Sequence, residues 1–149
     1  MKRMFPNPQR TRFQLSSLCI LGMTLAVTLE SPTVAFAYRS ESVVMTELMS
    51  KELADVPGEE MVMLLVDYAP GAVEPIHRHD AYVFVYILQG SVVMQVRGGK
   101  ETSLAAGQTF YEGPDDVHTM GRNASTTEPA KFIAVMLKKK GAQTVLPTQ

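Results

Sequence analysis

Between residues 61 and 137 the chain is a succession of short apolar runs, each closed within a few residues by a turn signal. Residues 61–66 (MVMLLV) end at Ala69-Pro70-Gly71, and residues 82–88 (YVFVYIL) end at Gln89-Gly90. The second run is dominated by aromatic and β-branched residues, which predicts a strand buried on both faces. Residues 91–97 (SVVMQVR) form the next strand, closed by Gly98-Gly99, a pair that suits a two-residue primed hairpin turn because both positions tolerate positive φ. Residues 101–104, 108–111, 118–122 and 132–137 continue the series, separated by Ala106-Gly107, by Gly113-Pro114-Asp115-Asp116 and by a polar loop over 123–129. Strands this short, with turns this regular, restrict the chain to an all-β sandwich or barrel. Residues 46–53 alone are expected as a short helix or a connecting arm.

The N-terminus follows a different logic. Lys2, Arg3, Arg10 and Arg12 precede the apolar run 15–29, Glu30-Ser31-Pro32 breaks it, and Ala35-Phe36-Ala37 places small residues at the −3 and −1 positions of a signal-peptidase site. The expectation is a secretory signal peptide over 1–37, cleaved after Ala37, with an N-terminal arm over 38–58, a barrel over 59–140 and a tail over 141–149. Four serines and threonines interrupt the run, which is short of the roughly 20 residues that span hydrocarbon, so no membrane anchor is expected after cleavage.

Cleavage would turn a chain of 149 residues and formal charge −1 into one of 112 residues. Four basic residues and one acidic residue leave with the leader, so 10 basic and 14 acidic remain, a net of −4. Such a surface gives no electrostatic hold on phosphates, and nucleic acid is not an expected partner. The single cysteine, Cys19, lies in the leader, so the mature chain is thiol-free, as suits a periplasmic or secreted protein.

All three histidines lie beyond the leader, at 77, 79 and 118. His77 and His79 are two apart on an expected strand, so they share a face with a spacing of about 7 Å. His118 lies on a later strand and joins them only if the sheet curls back. Imidazole suits Fe2+, Mn2+, Zn2+ and Ni2+ among divalent ions, and spacing does not choose between them.

The stretch Gly71-Ala-Val-Glu-Pro-Ile-His77-Arg-His79, running on to Gly90, resembles the first motif of the cupin superfamily: Gly, five residues, His-x-His, three or four residues, Glu, six residues, Gly. The stretch from Gly107 through Gly113-Pro114-Asp115 to His118 is similar to the second, Gly, five residues, Pro-x-Gly, two residues, His, three residues, Asn. The resemblance implies a double-stranded β-helix, or jelly-roll barrel, with His77, His79 and His118 as metal ligands. Two departures stand out. Where the family places a ligand glutamate, this chain has Val83 or Phe84, and the terminal Asn becomes Arg122, or Asn123 one residue late.

Three neutral imidazoles without a carboxylate leave several open positions on a divalent ion. The expected function is therefore an exported three-histidine metal-binding cupin, either a non-haem Fe(II) dioxygenase acting on a small oxygen-rich substrate or a non-catalytic metal or ligand-binding module. A metal-free, epimerase-type cupin is the third reading, and it predicts a His paired to a carboxylate together with a basic channel. On strand parity Ala81, Val83, Val85 and Ile87 face the site after His79, and Met120 and Arg122 after His118. Arg122 and Tyr86 are the catalytic candidates. Gln95, set in an apolar strand, and Met120 are further site contacts, although Gln95 reads equally as a solvent-facing residue. Aromatic outer strand faces and the family resemblance point to a homodimer. Asn123-Ala124-Ser125 is a glycosylation sequon in a eukaryotic source, and 138–140 (KKK) reads as a solvated run.

Overall fold

The computed structural model describes residues 39–40 and 42–148, so the expected signal peptide, its expected cleavage site and Cys19 lie outside the described residues. Eleven strands follow one another, with no helix among the described residues: β1 (Arg39–Ser40), β2 (Val43–Glu52), β3 (Glu59–Tyr68), β4 (His77–Arg78), β5 (Ala81–Gln89), β6 (Ser91–Val96), β7 (Thr102–Ala105), β8 (Thr109–Glu112), β9 (Val117–Asn123), β10 (Ala130–Lys139) and β11 (Leu146–Pro147). No helix there is long and apolar enough to cross a membrane. The strands form two antiparallel sheets, one in the order β1-β2-β3-β10-β5-β8 and the other β11-β4-β9-β6-β7.

Alternation on the central strands builds the core. Val62, Leu64, Val66 and Tyr68 of β3, Phe132, Ala134 and Met136 of β10, and Val83, Val85 and Ile87 of β5 are buried against Val92, Met94 and Leu104 of the second sheet. Methionine fills gaps here as an unbranched, adaptable side chain. Strand β5 is not buried on both faces, as its composition suggested. Ala81, Val83, Val85 and Ile87 point inward, while Tyr82, Phe84, Tyr86 and Leu88 stand on the outer face, exposed. There Phe84 sits directly across from Tyr111 of β8, the rings 5.4 Å apart.

Three further expectations are corrected. Residues 46–53 are neither helix nor loose arm: most of them belong to β2, paired along β3 through a bulge between Glu47 and Met49. Side chains of β2 beyond Val43 are largely exposed, so no apolar period marks it, and the backbone ladder to β3 holds it instead. The C-terminal residues form β11 against β4 rather than a free tail. The turn after β6 spans residues 97–101 with positive φ at Gly98 only, longer than a two-residue hairpin.

Two polar residues that read as surface features are buried. Asn123 donates to the carbonyls of Ala69 and Glu128 and accepts from the Ser125 amide, so its amide nitrogen is committed to holding the loop before β10 rather than presented for glycosylation. Lys138 continues the inward parity of Met136. Its ammonium donates to Glu60 and to the Ala142 carbonyl at 2.7 Å, and Glu60 also accepts from the Gly141 amide at 3.0 Å. That pairing holds the Glu60 carboxyl below its ordinary pKa.

Candidate metal centre

The site is assembled from β4, β9 and the C-terminal segment. His77 and His118 are register partners across β4 and β9, and antiparallel partners present their side chains on the same face. His79 follows two residues after His77 on the same side. All three are buried, at 7%, 8% and 4% exposure. Their ligand atoms lie within 4.8 Å of one another.

Each neighbour of these rings bears on what the nitrogens can do. His77 Nδ1 lies 2.8 Å from the Pro75 carbonyl, and His79 Nδ1 is hydrogen-bonded to the Thr144 carbonyl. A carbonyl only accepts, so both Nδ1 atoms carry the proton and both Nε2 atoms present bare lone pairs. These two Nε2 atoms face one another at 3.1 Å. Two ligands of one ion with metal–nitrogen distances of about 2.0–2.1 Å stand about 3.0–3.4 Å apart. Donation of the second ring nitrogen to a backbone carbonyl is also the arrangement that orients metal-ligating histidines. His118 Nε2 and Glu112 Oε2 are buried with no hydrogen-bond partner. The facing bare Nε2 atoms of His77 and His79 fit a cation, and the three-histidine cluster is compatible with a divalent metal ion.

Burial sets the protonation of the cluster. It depresses His79 to about 4, with the Thr144 carbonyl opposing and His77 adding to the shift. His118 falls to about 3, through burial first and then the nearby His77. The same burial pushes Glu112 up to about 8, helped by Glu74 and Asp116, and raises Glu74 against the opposing pull of His77. At neutral pH His79 and His118 are therefore neutral, the form that coordinates metals.

The cavity the histidines enter has a volume of about 40 Å³. Its walls are mostly apolar, with Leu64, Val66, Val85, Met94 and Phe132 among them, and the C-terminal residues Thr144 and Val145 close one side. A site for one water needs roughly 10–15 Å³ by this measure, so the space admits an ion with a few water-sized ligands.

Val83 and Val85 line this cavity as β5 parity predicted. The remaining candidates lie elsewhere. Tyr86 is on the outer face of β5, 48% exposed. Gln95 donates to the Gly99 carbonyl at the surface, which matches its solvent-facing alternative. Met120 pairs with Gln95 and shares its face, and Arg122 reaches Glu101 at 3.4 Å on the exterior. The reason is a bulge. Gln95 pairs with Met120 but Val96 with His118, leaving Thr119 as an extra residue that inverts the parity of everything after it. Gly121 faces inward in place of Met120. A Cβ there would come within 2.8 Å of Glu74 Oε2 and 3.1 Å of both His118 Cε1 and the Tyr68 hydroxyl, so only glycine fits without displacing the site.

Three residues absent from the sequence-based set belong to the site. Glu112 Oε2 lies 3.6 Å from His118 Nδ1 and 4.0 Å from His79 Nε2. Glu74 Oε2 lies 3.9 Å from His77 Nε2. The Tyr68 hydroxyl, buried beside Glu74, makes no hydrogen bond of ordinary geometry, and its pKa is raised by burial and by that carboxylate. Strand parity carries a signal for Tyr68, which continues the inward set of β3. Glu112 closes β8 just before Gly113-Pro114, and nothing in the sequence states which strand lies beside it.

Residues 64–136 match the family model described as "Cupin domain". Among solved structures the chain is similar to a cupin-2 domain protein from Rhodospirillum rubrum, at 21% identity over 76% of this chain and 74% of that one, with a TM-score of 0.56. An RmlC-like cupin from Shewanella frigidimarina matches at 16% identity over 70% and 84%, with a TM-score of 0.56. A predicted oxalate decarboxylase from Thermotoga maritima matches at 26% identity over 64% and 80%, with a TM-score of 0.54. No curated protein matches the sequence.

Proposed function

Because the chain belongs to the cupin superfamily and brings three histidines together inside its barrel, we propose that it is an exported cupin that binds one divalent metal ion through His77, His79 and His118. One observation carries the reading: the Nε2 atoms of His77 and His79 face each other at 3.1 Å with both Nδ1 protons already given to backbone carbonyls. A bound ion would supply Lewis acidity toward a small ligand. The chain's own contribution is to fix the tautomers of His77 and His79, keep His79 and His118 neutral and wall the site with apolar side chains.

The small cavity volume, about 40 Å³, supports the binding module over the Fe(II) dioxygenase. The epimerase-type reading finds carboxylates near the histidines, but no Lys or Arg lines the cavity to form a basic channel. The test is elemental analysis of protein purified from the compartment to which it is exported, alongside His79→Ala. Stoichiometric divalent metal in the parent and its loss in the variant are expected, and full retention by His79→Ala would sink the three-histidine centre. Oxygen uptake by the iron-loaded protein in the presence of small phenols would reinstate the dioxygenase. Export predicts that the mature protein begins at Tyr38, and an intact Met1 by mass spectrometry would reject it. The exposed aromatic face of β5 and β8 supports a homodimer, which sedimentation equilibrium checks.

A further inference from the structure

Position 83 is where the first cupin motif carries its glutamate, and Val83 does point into the cavity. Its register partner on the adjacent strand β8 is Glu112. Directly opposed residues of an antiparallel pair project to the same face with Cβ atoms roughly 5 Å apart, so a side chain on β8 at this register enters the same space as one at position 83. Both residues line the cavity.

Glu112 is placed there with nothing else to do. Its side chain is 4% exposed, and among the described residues Oε2 has no hydrogen-bond partner and no Lys or Arg lines the cavity to neutralise it. That oxygen lies 4.0 Å from His79 Nε2, the nitrogen whose lone pair faces the cluster, and 3.6 Å from His118 Nδ1. Glu74, the other carboxylate, also lines the cavity, 3.9 Å from His77 Nε2, but it enters from the loop before β4 and not at the register of position 83. Burying a carboxylate without a partner is costly, and a cation bound at the histidines is a group that would compensate it.

We propose that Glu112 is the fourth protein ligand of the metal centre, delivered from β8 into the place that a glutamate at position 83 would occupy on β5. The proposal rests on the three-histidine reading above and changes its chemistry. With a carboxylate the formal charge of the loaded site drops by one, the donor set becomes three nitrogens and one hard oxygen, and one open position is removed.

The experiment is a titration of the metal-free full chain with Co2+, read by affinity and by the d–d absorption of the saturated protein. Glu112→Gln should bind at least about tenfold more weakly, the lower edge of what removing a metal-site partner costs, and its saturated spectrum should differ from the parent's. The exchange Val83→Glu with Glu112→Val should regain affinity. Weakening of less than about tenfold, or an unchanged saturated spectrum, overturns the proposal while leaving the three-histidine centre standing. Failure of the exchange to regain any affinity overturns the equivalence of the two positions. If the parent takes up no Co2+ and His79→Ala is indistinguishable from it, the centre itself fails and Glu112 with it.

Discussion

Two of the polar clusters buried among the described residues are built on opposite principles. Around Lys138, charges of opposite sign meet: the ammonium reaches Glu60 and the Ala142 carbonyl, and Glu60 also takes the Gly141 amide. Around His118 the buried polar atoms lack partners among the described residues, and His118 Nε2, Glu112 Oε2 and the Tyr68 hydroxyl form no hydrogen bond of ordinary geometry. A satisfied buried cluster acts as a structural rivet, whereas an unsatisfied one is tolerated because it has a task other than stability. The contrast separates the two without reference to any relative.

Opposite responses to mutation follow. Glu60→Leu strands the Lys138 ammonium in the interior and should destabilise the protein by about 3–5 kcal/mol in chemical denaturation. Glu112→Leu removes an unpaired carboxyl and should stabilise the metal-free protein by about 1–3 kcal/mol. Destabilisation by Glu112→Leu, in protein shown to be free of metal, would erase the distinction.

Proton linkage sharpens it further. Glu60 has a depressed folded pKa, so its contribution is present above the ordinary carboxylate range and lost as pH falls through the folded value. His79 and His118, at about 4 and about 3 when folded, stay neutral while the unfolded chain takes up protons below about 6.5, so stability falls on acidification through that window. Glu112, at about 8 when folded, holds a proton that the unfolded chain releases near its ordinary value, so stability also falls as pH rises toward 8. The metal-free protein should therefore be most stable near roughly pH 6. The alkaline decline should shrink in Glu112→Leu and persist in Glu60→Leu, as denaturation midpoints across pH would show.

The smallest expected effect is at Gly121. An alanine Cβ there meets Glu74 Oε2 at 2.8 Å, and the end of a flexible side chain yields more readily than backbone. Gly121→Ala should shift the melting temperature little while weakening metal binding measurably. A large loss of stability would mean that the glycine serves the core rather than the site.

How much of this was legible depended on whether the relevant contact was local. The period-two pattern of β5 named its inward residues correctly because the strand's one irregularity against β10, at Leu88, lies beyond them. The same logic failed on β9, where one extra residue at Thr119 turned Met120 and Arg122 outward, and a bulge leaves no mark in hydrophobic alternation. The histidines were legible because their spacing carries chemistry in itself. Glu112 was not, since its role depends on β5 and β8 being neighbours, which follows from topology rather than from either strand's own residues. Lys138 was misread for a related reason: a run of three lysines resembles a solvated end until Glu60, paired to it across β3 and β10, is in place.

The hydrogen bond from His79 to the Thr144 carbonyl sets an order of events. It links positions 65 residues apart, so the ring of one metal ligand is oriented by backbone near the end of the chain. A partly synthesised or partly translocated chain that has not yet delivered those residues has His77 and His79 but not the acceptor that aims the second ring. For a protein exported as proposed, the centre would be completed only after Thr144 has crossed, and an ion bound there would be drawn from the receiving compartment rather than from the cytoplasm.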